Sequence, residues 1–270
     1  MDFPLARQLF YREIHRPDED IDLAKAALYF ALEEYPELEP DAYLNALDEM
    51  ALEIQERLPQ QRYPLRIIQT INEYLYDDLG FKGNSQNYYD PRNSFLNEAI
   101  DRRTGIPITL SLIYLEIAKR IDFPMVGIGM PGHFLIRPVF EEVGFFVDPF
   151  HGGEVLFPTD CERRLMQIYG KKISLKPEFL EPIAPKQFLA RMLTNLKMIY
   201  LHRHDAKRTL AAIERILLLF PDRPFELRDR GLLYYQMDRR TAARQDLEMY
   251  LNLLPQARDA TAIRQLLDRL

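Results

Sequence analysis

Residues 131–150 read PGHFLIRPVFEEVGFFVDPF. Two mainly apolar runs, HFLIRP and FFVDPF, flank a short stretch, PVFEEV (138–143), of hairpin size. The pattern predicts an antiparallel pair of strands. If His133 opposes Asp148, then Leu135 meets Phe146 and Arg137 meets Gly144. All six lie on one face, because side chains alternate along a strand. Directly opposed Cβ atoms sit about 4.5–5.5 Å apart. Asp148 would then accept a hydrogen bond from one imidazole nitrogen, fixing the tautomer and turning the ring. A histidine held by a carboxylate is two-thirds of a nucleophilic triad, so the third member must come from whatever packs over the hairpin.

The segment before the hairpin supplies that element. IPITLSLIYLEIAKRI (106–121) is long, apolar and almost free of breakers. Pro107 suits the first turn of a helix, where its missing N–H costs nothing. A helix over 107–121, buried on most sides, is expected, followed by a strand in MVGIGM (125–130). A thiol at the head of such a helix would be activated by the helix dipole and a neighbouring histidine. That head reads GIPIT (105–109) and holds no cysteine.

Other nucleophiles are scarce. Thr109 and Ser111 lie near Pro107 but are two residues apart, so they do not share a helix face. A hydroxyl needs stronger activation than a thiol, which a His–Asp pair can supply. The competing reading has both hydroxyls bonded to backbone carbonyls of their own helix. Cys161, in FPTDCERRL, is the one thiol of the chain, at the expected start of a further helix. A packed thiol is the simpler reading of it. His151, in DPFHGG, would complete a set of two histidines and one carboxylate with His133 and Asp148. Nothing in the sequence fixes those distances, and no metal or cofactor is expected. Upstream, FKGNSQNYYDPRNSFLNEAIDRRTG (81–105) has the composition of loops, where functional groups concentrate. Asn93, Asn97 and Arg103 are its candidates for lining a cleft; scaffolding of the loop is the alternative. His202 and His204 read as surface residues.

The flanks differ from this middle. Helical patterns run through DIDLAKAALYFALEEY (20–35), DAYLNALDEMALEIQERL (41–58), with Asp41 as N-cap, and LRIIQTINEYLYDDLG (65–80), with Gly80 as C-cap. They carry no chemistry and read as a cover for a core. Prolines 177, 182 and 185 mark a linker. Beyond it, Tyr200/Tyr234, Leu217/Leu251 and Pro221/Pro255 recur at a spacing of 34, the period of tetratricopeptide helix pairs. Gly231 and Ala243 in the second copy are the small residues that let such helices cross closely. Lys197 and Thr209 stand at those places in the first copy. The expected division is 1–60, a helical segment; 61–180, an α+β core with a small antiparallel sheet; and 186–270, two all-α repeats.

The bulk numbers narrow the class. The chain has 270 residues, 47% of them hydrophobic, with net charge −6. Residues 186–270 hold 16 Lys and Arg against 10 Asp and Glu; the remainder holds 19 against 31. An acidic chain is a poor candidate for nucleic-acid binding. No run approaches the roughly 18 apolar residues of a membrane span. MDFPLARQLFYREIHRPDED lacks a secretory pattern, and one cysteine permits no internal disulfide, which fits a reducing cytoplasm.

GIPITLSLIYLEIAKRIDFP, PGHFLIRP and FFVDPF follow the order of a papain- or transglutaminase-like core: nucleophile helix, histidine strand, aspartate strand. With YYDPRNSFLNEAIDRRTG, DPFHGG and the trailing repeats, the chain resembles the bacterial SirB-type transglutaminase-like proteins that end in tetratricopeptide repeats. The resemblance matches His133 and Asp148 to the family's His and Asp, and places its Cys at Pro107. It implies a papain-like α+β fold without its nucleophile. The expected function is that of a pseudoenzyme working through a protein or peptide partner bound by the repeats, with no nucleic acid and no membrane expected from charge and hydropathy. The alternative is a hydrolase or acyltransferase using Ser111, Thr109 or Cys161 with His133 and Asp148.

Overall fold

The structure, a computed structural model, describes residues 4–140 and 144–270. Part of the connection PVFEEV, residues 141–143, lies outside them. The chain forms two compact units, Met1–Leu189 and Ala190–Leu270, and the division falls inside one long helix.

In the first unit α1 (Leu5–Ile14), α2 (Leu23–Ala31), α3 (Pro40–Arg57) and α4 (Pro64–Asn72) come first; α4 runs on into a turn of π-helix, Glu73–Asp78. The first of these was not read from sequence. Asp41 does not cap α3 as expected. The helix starts at Pro40, Glu39 is its N-cap, and Asp41 lies in the first turn, where a carboxylate still suits the dipole. Two-residue strands β1 (Lys82–Gly83) and β2 (Thr104–Gly105) pair in parallel around α5 (Leu96–Arg102).

The centre of this unit is α6 (Pro107–Arg120), in which every side chain from Pro107 to Ala118 is buried. It packs against α2, α3 and α5 on one side. On the other it meets β3 (Met125–Ile128), β4 (Leu135–Pro138) and a short turn at Pro149–His151. Burying a Leu or Ile contributes roughly 1.5–3 kcal/mol each, so this helix is the main apolar anchor of the unit. Lys119 and Arg120 close its last turn, favourably placed on the negative end of the dipole. Asp122 (φ 59°) then reverses the chain ahead of Pro124.

β3 and β4 join β5 (Phe146–Asp148) and β6 (Glu154–Leu156) in an antiparallel sheet of order β3-β4-β5-β6. The last strand was not expected: three residues carry too little pattern to be read. The register of β4 on β5 pairs Ile136 with Val147, two residues away from the expected alignment. Leu135, not His133, therefore stands opposite Asp148. α7 (Pro158–Tyr169) follows, its first turn tied by Asp160, whose Oδ2 accepts from the Phe157 N–H at 2.9 Å.

The second unit holds the end of α8 (Pro185–His202), then α9 (Ala206–Leu219), α10 (Pro224–Gln236), α11 (Arg240–Leu253) and α12 (Ala260–Leu267). α10 crosses α11 at Gly231, where an added Cβ would lie 2.8 Å from Leu247 Cγ. Lys197, which replaces that small residue one repeat earlier, is buried with its ammonium 2.7 Å from Glu226 and 2.6 Å from Asp229. The departure of the first repeat is thus a salt-bridged contact of α8 with α10. Among the described residues no helix is long and apolar enough to cross a membrane.

Candidate functional site

His133 does not sit on a strand. It ends a tight turn in which its N–H donates to the Met130 carbonyl at 3.1 Å and Gly132 takes φ +73°. The turn displaces the imidazole from the directly opposed position, and it reaches Asp148 diagonally, a distance long side chains span. His133 Nε2 lies 2.8 Å from Asp148 Oδ2. His133 is 6% exposed and Asp148 wholly buried.

A second histidine shares that oxygen. His151, on the turn after β5, brings Nδ1 to 2.8 Å from Asp148 Oδ2. The other oxygen, Oδ1, accepts the Phe150 N–H at 3.1 Å. A carboxylate accepting from both rings requires the proton on Nε2 of His133 and on Nδ1 of His151. Arg164 Nη1, on α7, lies against the His151 ring, 3.1 Å from Nδ1 and 3.0 Å from Nε2. Arg164 Nη2 also lies 2.6 Å from Glu154 and 3.6 Å from Asp148 Oδ2. Burial alone would raise the Asp148 carboxyl. The hydrogen bonds and charge of His133 and His151 outweigh it and hold the group well below the usual carboxylate range.

The turn bearing His151 is clamped from behind. The Tyr76 hydroxyl, on the π-helical turn after α4, donates to the Pro149 carbonyl at 3.0 Å. Asn72 Nδ2 donates to the Gly153 carbonyl at 2.9 Å, and Asn72 Oδ1 accepts from the Tyr114 hydroxyl of α6 at 3.1 Å. Gly153 has φ +72°, and a Cβ there would lie 2.0 Å from Asn72 Oδ1, so only glycine admits this approach.

His133 and His151 open onto a cleft of about 580 Å³, and Pro107, at the head of α6, lines it with them. The remaining walls include Tyr88, Tyr89, Phe150 and Ile168, with Ser85, Gln167 and Arg164. The helix head and the two imidazoles thus converge on one space, with the buried Asp148 carboxylate behind the rings, and at the helix head that space meets a pyrrolidine ring.

The other candidates are elsewhere. Thr109 and Ser111 are fully buried in α6, and neither hydroxyl has a hydrogen-bond partner. The expected backbone bonds are absent, and so is any bond to His133. Cys161 lies in the first turns of α7 but points into a cluster of Ile128, Met130, Leu135, Phe146, Leu156 and Leu165. Burial first, then the nearby Asp160 and Asp148, push its thiol up to about 12, so no thiolate forms at neutral pH. Asn93, Asn97 and Arg103 do not line the cleft. Asn93 is buried and ties the loop that does, donating to the Asn87 and Tyr88 carbonyls and accepting from Asn84. Asn97 is buried, and Arg103 is turned outward to the Leu79 carbonyl at 2.7 Å. Sequence reasoning missed Arg164, which nothing in spacing ties to Asp148, and the aromatic wall. The adjacent Tyr88 and Tyr89 in a loop were the available signal for the latter.

Comparison with known proteins agrees with this architecture. Residues 41–194 match the Transglutaminase-like superfamily, and residues 196–268 match the Tetratricopeptide repeat. A UPF0162 protein of Xylella fastidiosa is 35% identical over 251 residues, covering 92% of this chain and 89% of that protein. A UPF0162 protein of Vibrio cholerae is 28% identical over 88% of this chain and 89% of its own length. F-box only protein 21 of Homo sapiens is 36% identical over 107 residues, which are 36% of this chain but 17% of that protein. No solved structure matches.

Proposed function

Since the chain belongs to the transglutaminase-like superfamily and carries tetratricopeptide repeats behind that domain, we propose that it is a non-catalytic, cytoplasmic protein of the SirB type that acts through a protein partner. The observation that carries this reading is Pro107 lining the cleft beside His133. A family that attacks carbonyl carbon needs a nucleophile at that place, and proline has none to offer. The thiol of Cys161 is buried away from the cleft, and the hydroxyls of Thr109 and Ser111 are sealed within α6.

The His133–Asp148 pair then serves the fold. It satisfies two buried polar groups and ties the turn before β4 to the end of β5. The partner is assigned to the repeats, whose stacked helices leave a cavity of about 370 Å³ lined by Lys197, Leu201, Arg228, Leu232 and Gln236. Repeats of this class bind through such concave surfaces, so the assignment rests on fold analogy. The shared segment in F-box only protein 21 occurs within a much longer chain, which fits a portable module.

The test uses the full chain in two arms. Acyl esters and glutamine-containing peptides with an amine acceptor are incubated with it, and no turnover above the His133→Ala variant is expected. Chemical crosslinking in cells, read by mass spectrometry, is expected to place a partner's peptides on α8 and α10. Turnover that His133→Ala abolishes would defeat the non-catalytic reading; crosslinks confined to the first unit would defeat the assignment to the repeats.

A further inference from the structure

The carboxylate between two histidines also has the composition of a metal centre. His133, Asp148 and His151 each offer one ligand atom, and these three atoms all lie within 4.8 Å of one another. Imidazole nitrogen and carboxylate oxygen are the donors that zinc and the neighbouring divalent transition ions take, two histidines and one carboxylate being a common set with open positions. Around a tetrahedral ion, ligand atoms about 2.0–2.2 Å from the metal stand about 3.3–3.6 Å from one another. From the observed spacing, the two 2.8 Å contacts to Asp148 lengthen by about half an ångström as the hydrogen bonds give way to metal bonds, and the third spacing lies within 4.8 Å. We infer that His133, Asp148 and His151 form a binding site for one divalent transition-metal ion, with its remaining coordination positions open to the cleft.

Three further features support a built site over a chance cluster. Asp148 is oriented by a bond to its other oxygen, from the Phe150 N–H at 3.1 Å; outer bonds of this kind fix metal ligands. The turn carrying His151 is held at both ends, by Tyr76 at Pro149 and by Asn72 at Gly153. And the face of His151 is reachable, its side chain being 40% exposed.

Arg164 is the ion's competitor. Its guanidinium lies 3.6 Å from Asp148 Oδ2 and 3.0 Å from His151 Nε2. It holds positive charge beside the ligand set, and its Nη1 lies against the ring of His151, 3.1 Å from the ligand atom Nδ1 itself. Loading therefore moves Arg164 away, toward the exposed Glu154 it already bonds at 2.6 Å. Metal affinity is set by the contest between the ion and this side chain, so removing Arg164 strengthens binding while removing His151 weakens it.

The experiment is a zinc titration of the metal-stripped full chain against a chromophoric chelator, with cobalt absorption reporting the ligand set. One ion per chain is expected. His151→Ala, at an exposed position that should not disturb folding, is expected to weaken binding at least tenfold, and Arg164→Gln to tighten it. Zinc should raise the melting temperature of the natural chain and not that of His151→Ala. Less than one ion per chain, or equal affinity of the natural chain and His151→Ala, would overturn the site; so would Arg164→Gln binding more weakly. The readout is independent of any partner and of turnover.

Discussion

His133 Nε2 and Asp148 Oδ2 are 2.8 Å apart although the strands do not oppose them. The pairing of Ile136 with Val147 sets Leu135 against Asp148. The contact is made because His133 lies in the turn before β4, and it is shared with His151 from the turn after β5. One buried carboxylate therefore ties together two turns and one edge of the cleft.

That carboxylate should govern acid stability. Its folded pKa is depressed by the two histidines against the cost of burial. A depressed carboxylate contributes stability that is fully present above its unfolded value, near 3.9, and is lost as pH falls through the folded value. Asp148→Asn should cost roughly 1.5–3 kcal/mol in urea unfolding at neutral pH, the range for hydrogen bonds to a charged group. It should also flatten the decline in stability below about pH 4. An unaltered acid limb in the variant would mean that the two histidine contacts do not depress Asp148.

The clamp behind His151 should be visible by hydrogen exchange. Asn72→Ala removes the bond to the Gly153 carbonyl and the acceptor of the buried Tyr114 hydroxyl. The expected loss is about 1–3 kcal/mol, with faster exchange concentrated at residues 150–154. Uniformly raised exchange throughout the first unit would show that Asn72 supports the core and not the turn.

In the second unit, Lys197 is the buried group to test. Lys197→Met leaves Glu226 and Asp229 without their ammonium. Breaking a buried pair by removing one partner costs about 3–5 kcal/mol. The loss here should fall near the lower end, roughly 3 kcal/mol, because Asp229 is partly exposed and keeps Arg228 at 2.8 Å. Adding Glu226→Gln should recover part of it. A neutral single substitution, read by thermal unfolding, would remove the salt-bridge account of the first repeat.

The fold was legible where pattern is dense. The apolar run after Pro107, the strand pair Leu135–Pro138 and Phe146–Asp148, and the 34-residue period each state their element locally. A short piece was not legible: Glu154–Leu156 has three residues. Leu5–Ile14 does carry Ala6, Leu9, Phe10 and Ile14 at helical spacing, a signal that was there to be read. The β4–β5 register failed for a specific reason. A period of two fixes which face a residue takes but not which partner it meets, and a slip of two residues preserves the face. Around the site, His133, Asp148 and His151 lie close enough in sequence to be read together. Arg164 comes from a different helix, and its approach to Asp148 depends on packing that no spacing encodes.

The central claim is that His133 and Asp148 stand ready beside the head of α6, where Pro107 offers no nucleophile. The most direct measurement is the pH dependence of iodoacetamide labelling of Pro107→Cys, compared with the same substitution in a His133→Ala background. The account predicts that the new thiol labels faster than Cys161, whose thiol is buried with its pKa near 12. It also predicts that labelling half-saturates below the ordinary thiol value of about 8.5, and that removing His133 shifts the profile upward. Matching profiles in the two backgrounds, or labelling no faster than at Cys161, would contradict it.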